Sequence, residues 1–108
     1  MADNQDVADR HPLAGIDQAI HAPARLMVMT YLSVVESTDF IFLMRLTGLT
    51  WGNLSSHLST LEDAGYVQID KQFVGKKPHT MIRLTDRGRA AFREYKHTMR
   101  DALSGTPD

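Results

Sequence analysis

The sequence predicts a small α+β domain, mainly helical, with a single β-hairpin in its C-terminal half. Three observations carry this expectation. Apolar residues recur with a helical period over 23–36, 51–64 and 86–103. Between the last two, "YVQIDKQF" and "HTMIRL" alternate as strands do, and "VGKKP" between them supplies Gly and Pro turn chemistry. Finally, only "GLT" separates an apolar helix at 40–47 from the helix at 51–64, which makes a helix-turn-helix unit.

Each element has its own local reason. Residues 1–12 are polar and acidic and close on Pro12, so they read as a disordered tail. In "LAGIDQAIHA", Leu13, Ile16 and Ile20 stand at helical spacing and predict a short helix interrupted before Pro23. Pro23 suits the first turn of the next helix, where a missing N–H costs nothing. That helix is expected over 23–36, with Leu26, Met29, Tyr31, Leu32 and Val35 on its apolar face. "STDF" is expected to pair briefly as an extended segment. Asp39 is a suitable N-cap for 40–47 and Gly48 a suitable stop; Thr50 and Gly65 bracket 51–64 in the same way. Thr85 caps the last helix, Asp86 favours its dipole, and the helix runs to about Leu103 before a frayed 104–108 tail.

Composition narrows the function. The 108 residues fit one domain with a modest core, and 43% hydrophobic with 23% charged residues is ordinary. Cysteine is absent, so disulfides, thiolate metal sites and cysteine nucleophiles are excluded. The five histidines (His11, His21, His57, His79, His97) fall in different elements, no HExxH occurs, and no Gly-rich phosphate loop follows a strand. Ser55 and Ser56 have no identifiable base. An enzyme is not expected, nor is a cofactor. A metal site would need His21 or His97 to converge with carboxylates, which the sequence does not show. The acidic start offers no signal-peptide core and no apolar run has membrane-spanning length, so a cytoplasmic protein is expected.

Net charge is −1, but it is unevenly spread. Residues 1–65 carry three Lys/Arg against eight Asp/Glu, whereas 66–100 carry nine against three. A local basic face of this kind is what nucleic-acid binding requires.

The helix at 51–64 is the most informative stretch. Leu54, Leu58 and Leu61 are spaced to face a core, and the opposite arc carries Gly52, Ser56, Ser59 and Asp63, flanked by Asn53, Ser55 and Thr60, beside Thr50 and Trp51. Surface helices that need only solubility carry Glu, Lys and Arg. Short hydroxyl and amide groups suit a surface pressed against something polar, and Asn, Ser and Thr can bond base edges or phosphates. Gly52 costs about 1 kcal/mol of helix propensity, which close backbone approach to a groove would explain. His57, at the edge of the leucine face, could bond a neighbouring helix or a phosphate. Trp51 could pack on the preceding turn or lie on sugar and backbone. The bland alternative is a polar solvated helix.

Helix, helix, turn, helix, hairpin, helix is the order of a winged helix domain. The chain resembles winged helix-turn-helix transcriptional regulators of the MarR/ArsR type, in their short single-domain branch. The likeness rests on Gly52-Asn53-Leu54-Ser55, His57-Leu58, Leu61-Glu62, Ala64-Gly65-Tyr66-Val67, Phe73, Gly75, Pro78, Thr80, Leu84-Thr85, Gly88-Arg89 and Ala91-Phe92, and covers about residues 13–103. It implies a sequence-specific regulator of double-stranded DNA, a repressor by expectation. The helix at 51–64 would sit in the major groove, and a wing at 74–79 would touch backbone or minor groove through Lys76, Lys77 and His79, extended by Arg83 and Arg87. The ordinary alternative for that tip is a solvated lysine-rich turn.

The last helix also carries a stripe, Phe92, Tyr95, Met99 and Ala102, with Leu103 adjacent. It can pack on the chain's own first helices. The resemblance implies instead a homodimer through terminal helices, with Leu13, Ile16 and Ile20 joining the stripe. Two copies would then place their reading helices about 34 Å apart on a pseudo-palindromic operator. A small-molecule effector is left open. The competing class is a winged helix protein–protein module without DNA binding, which the acidic first 65 residues would suit.

Overall fold

Pro23 opens the first helix among the described residues, and the elements then follow in the expected order. The computed structural model describes residues 13–107; the 1–12 tail and Asp108 lie outside the described residues. The elements are α1 (Pro23–Ser33), β1 (Thr38–Asp39), α2 (Phe40–Thr47), α3 (Trp51–Asp63), β2 (Val67–Val74), β3 (Lys77–Leu84) and α4 (Asp86–Leu103).

The short helix expected at 13–22 is replaced by consecutive turns. Asp17 explains this. Its Oδ1 accepts from the amides of Ala19 (2.9 Å) and Ile20 (3.4 Å), so the backbone is offered a side-chain partner in place of a helical ladder. Its other carboxylate oxygen accepts from the Tyr66 hydroxyl. Arg25 completes the clasp, donating from Nε to the Ala19 carbonyl at 2.6 Å. Ile16 and Ile20 still reach the core, by a path other than a helix. α1 also stops three residues early, at Ser33.

β1 is short because its partner requires only two residues: Thr38 pairs with Ile82 and Asp39 with Met81. β2 and β3 pair antiparallel along their whole length, from Val67↔Leu84 to Val74↔Lys77, and the sheet order is β1-β3-β2. The hairpin is therefore longer than expected, and the turn shrinks to Gly75-Lys76. Gly75 has φ +65° and no non-glycine described residue has positive φ, the pattern of a type II′ turn.

One sheet face and the helices share the core. Val67, Ile82 and Leu84 meet Ile20, Val28, Met29, Leu32, Phe40 and Leu43, together with Leu54, Leu58 and Leu61 of α3 and Phe92 and Tyr95 of α4.

A tight joint ties α3 to α4. Gly65, at φ +81°, turns the chain out of α3. The Tyr66 carbonyl then accepts from the Thr85 amide at 3.0 Å, while Thr85 Oγ1 donates to the Gly65 carbonyl at 2.6 Å and receives the Gly88 amide at 3.0 Å. One turn along, Arg89 donates to the carbonyls of Ser33 (3.2 Å) and Val35 (3.0 Å), satisfying acceptors left open where α1 ends.

Candidate nucleic-acid interface

α3 begins where the sequence places it because Thr50 caps it: Thr50 Oγ1 accepts from the Asn53 amide at 3.1 Å. Leu54, Leu58 and Leu61 are buried, which fixes the rotation of the helix and turns the other arc outward. Trp51, Gly52, Asn53, Ser56, Ser59 and Thr60 are exposed and Ser55 is half-buried. Beyond the adjoining residues and the helix's own backbone, nothing comes within 4 Å of the position a Gly52 Cβ would take, so the surrounding fold gives no steric reason for that glycine.

Trp51 stands 59% exposed, its ring 4.5 Å from that of Phe40 at a tilt of 51°. One face thus packs on α2 and the rest is open. Shallow clefts flank it, one lined by Ser55, Ser59, Ile69 and Thr80, the other by Ile41, Pro78 and His79. The first of these clefts puts α3 and the inner face of the hairpin side by side.

His57 differs from its neighbours. It is half-buried, and its Nδ1 lies 3.2 Å from Arg25 Nη1. Arginine can only donate, so this ring nitrogen accepts and His57 is turned toward α1 instead of the outward row.

The hairpin presents Lys71, Lys76 and Lys77 to solvent. His79 is not on a projecting loop. It lies within β3, where its Nδ1 donates to Asp39 Oδ2 at 2.8 Å. Pro78 is likewise a strand residue. Arg83 is exposed on the outer sheet face and donates to Gln68. Arg87 is exposed at the start of α4, beside Gly65. Lys76 and Lys77 therefore form the tip, whereas Arg83 and Arg87 belong to the hairpin base.

Asp39 was not among the residues singled out from sequence for the site, yet it connects its parts. Oδ1 accepts from the Ile41 (2.8 Å) and Phe42 (3.3 Å) amides as the cap of α2, while Oδ2 holds His79. The His79 hydrogen bond holds the carboxyl below its ordinary value of 3.8; slight burial opposes this and the two amides add to it. A depressed folded value contributes stability above 3.8 and loses it as pH falls through the lowered value. Asp39→Asn keeps a competent cap and removes the charge. We therefore expect the variant's urea midpoint to lie below the wild type's at neutral pH and the two to converge in acid. Parallel curves at all pH would show that the His79 contact adds no stability.

The residues expected at a dimer interface divide into two groups. Ile16, Ile20, Phe92 and Tyr95 are buried in the chain's own core. Leu13, Met99 and Ala102 are half-buried, and Leu103 is 55% exposed at the end of α4. His21 Nδ1 lies 2.9 Å from the Tyr95 hydroxyl, and among the described residues no group of three or more His, Asp or Glu could hold a metal ion. No helix of the described residues is long and apolar enough to cross a membrane.

A capped two-helix unit followed by a lysine-tipped hairpin defines a winged helix domain. The chain belongs to the family described as winged helix DNA-binding domain, whose model matches residues 24–103. It is 35% identical over 71 residues to an uncharacterized protein of Methanocaldococcus jannaschii, covering 66% of this chain and 77% of that one. A transcriptional regulator homologue from Pyrococcus horikoshii OT3 superimposes with a TM-score of 0.73 at 26% identity, covering 97% of both chains. The transcriptional repressor CouR, solved on a 23-mer DNA duplex, gives a TM-score of 0.69 at 20% identity, covering 96% of this chain and 75% of its own. The fold is shared with transcriptional regulators of the MarR family.

Proposed function

We propose that the protein is a sequence-specific regulator of transcription, a repressor, that reads double-stranded DNA as a homodimer. α3 enters the major groove and the hairpin tip reaches the backbone or the adjacent minor groove. The observation that carries this reading is the outward row Trp51, Gly52, Asn53, Ser56, Ser59 and Thr60, backed by three buried leucines and adjoining a hairpin with exposed Lys71, Lys76 and Lys77. A glycine unneeded by the fold, in the first turn of that row, fits a backbone that comes close to its target. A cytoplasmic, non-catalytic role follows. Two copies related by a two-fold axis would match a pseudo-palindromic operator, with the half-buried and exposed end of α4 (Met99, Ala102, Leu103) as contact.

Fluorescence anisotropy on a selected duplex and on random duplex tests this, at low and high salt. Wild type is expected to bind both at low salt, two chains per selected duplex. Asn53→Ala with Ser56→Ala should cost about tenfold or more on the selected sequence and much less on random DNA, since base contacts discriminate and phosphate contacts do not. No binding at low salt would sink the DNA reading and favour a protein–protein module.

A further inference from the structure

Lysines account for the charge of the hairpin tip but not for its apolar side. Phe73 is 74% exposed and Val74 65%, on an extension that leaves the core behind. Stranding a phenylalanine in water forgoes the stabilisation its burial would bring. Nothing local demands it, because the turn needs only Gly75.

The register shows how Phe73 is presented. Phe73 lies opposite Pro78, and Val74 opposite Lys77. In a hairpin closed by two residues, the pair flanking the turn is the hydrogen-bonded one, so the next pair outward, Phe73 and Pro78, is not bonded. Pro78 therefore loses no ladder bond, and side chains at such a pair stand closest together. β1 pairs with β3 only at Met81 and Ile82, so no other strand asks for the missing N–H. The result is an apolar platform in which Phe73 and Pro78 stand side by side on one face of the hairpin. Alternation puts Phe73 and Pro78 on the same hairpin face as Ile69, Lys71 and Thr80, and Ile69 and Thr80 share their cleft with Ser55 and Ser59 of α3. The platform is thus on the α3 side of the wing.

We propose that the Phe73–Pro78 platform is an apolar DNA contact, packing on the sugar and base edges that wall the minor groove while Lys71, Lys76 and Lys77 neutralise the phosphates on either side. This rests on the DNA-binding reading above. The three surrounding cations favour a polyanion over an apolar protein partner or a second, equally cationic wing. Minor-groove proteins commonly pair basic side chains with apolar ones that wedge against the base steps.

The test is Phe73→Ala, with Phe73→Leu as the apolar rescue, titrated against one duplex across a salt series. Removing an uncharged contact should weaken binding about tenfold at every salt concentration and leave the log–log slope unchanged, whereas a lost phosphate contact lowers the slope by about 0.9. Phe73→Leu should recover most of the affinity. Circular dichroism should show both variants folded, since the side chain is outside the core. Light scattering should give the same mass for all three proteins. Wild-type affinity retained in Phe73→Ala would overturn the proposal while leaving the DNA reading intact, and so would a change of mass, which would make the platform a protein contact. Absence of wild-type binding at low salt would remove the DNA reading and this proposal together.

Discussion

Replacing Gly88 with alanine is expected to abolish the native fold or lower its melting midpoint by about 15 °C or more. A Cβ at this buried position would lie 2.1 Å from the Tyr66 carbonyl oxygen and 2.9 Å from its carbon, both backbone atoms that cannot swing aside. Relief requires α4 to move off the end of α3. That movement strains the bond from the Thr85 amide to the Tyr66 carbonyl and the bond from Thr85 Oγ1 to the Gly65 carbonyl. Overpacking of this kind costs about 3 kcal/mol, against a total of about 5–15 kcal/mol for a domain of this size. Each kilocalorie shifts the midpoint of so small a domain by about 4–8 °C. Gly52→Ala is the matched control. Open space surrounds that position, so alanine should stabilise α3 by up to about 1 kcal/mol while weakening DNA binding. A thermal melt of Gly88→Ala within a few degrees of wild type would contradict the packing described for the joint.

Neutralising the hairpin tip is expected to give the largest loss of DNA affinity. Lys76 and Lys77 are exposed and adjacent at the tip turn. If both meet phosphates, Lys76→Ala/Lys77→Ala lowers the slope of log affinity against log salt by about 1.8. Binding falls on the order of tenfold per lysine in low salt, and the deficit shrinks as salt rises. The loss should be equal for selected and random duplex, unlike that of the α3 variants. An unchanged slope in the anisotropy series would place the tip away from the phosphates.

Much of the fold was legible because its signals are local. Asp39 and Thr50 cap the helices that follow them, and Gly48, at φ 72°, and Gly65 end the helices that precede them, all within a few residues of the ends they set. The leucine spacing of α3 fixed its buried face for the same reason. Pro78 misled, because proline reads as turn punctuation; its tolerance inside β3 depends on a pairing register that sequence does not display. The 13–22 segment misled differently: its apolar spacing gave burial, but Asp17 bonded the amides of Ala19 and Ile20. In the candidate site, the exposed row on α3 followed from periodicity alone. His57, His79 and Arg89 could not be placed, since their partners Arg25, Asp39 and Ser33 lie tens of residues away. The apolar stripe of α4 was ambiguous because core and interface demand the same residues, and Phe92 and Tyr95 went to the core.

The double duty of Asp39 has a mechanical consequence. One carboxylate grips the front of α2 with one oxygen and the hairpin, at His79 of β3, with the other, while β1 is stitched into β3 at the same residue. The flap consequently has no free hinge: swinging it drags the scaffold helix beneath the reading helix. If the chain reads DNA as proposed, accommodation to an imperfect target must come from rotating side chains and bending the duplex, and a strict spacing between tip and α3 is the property it would impose on any sequence it selects.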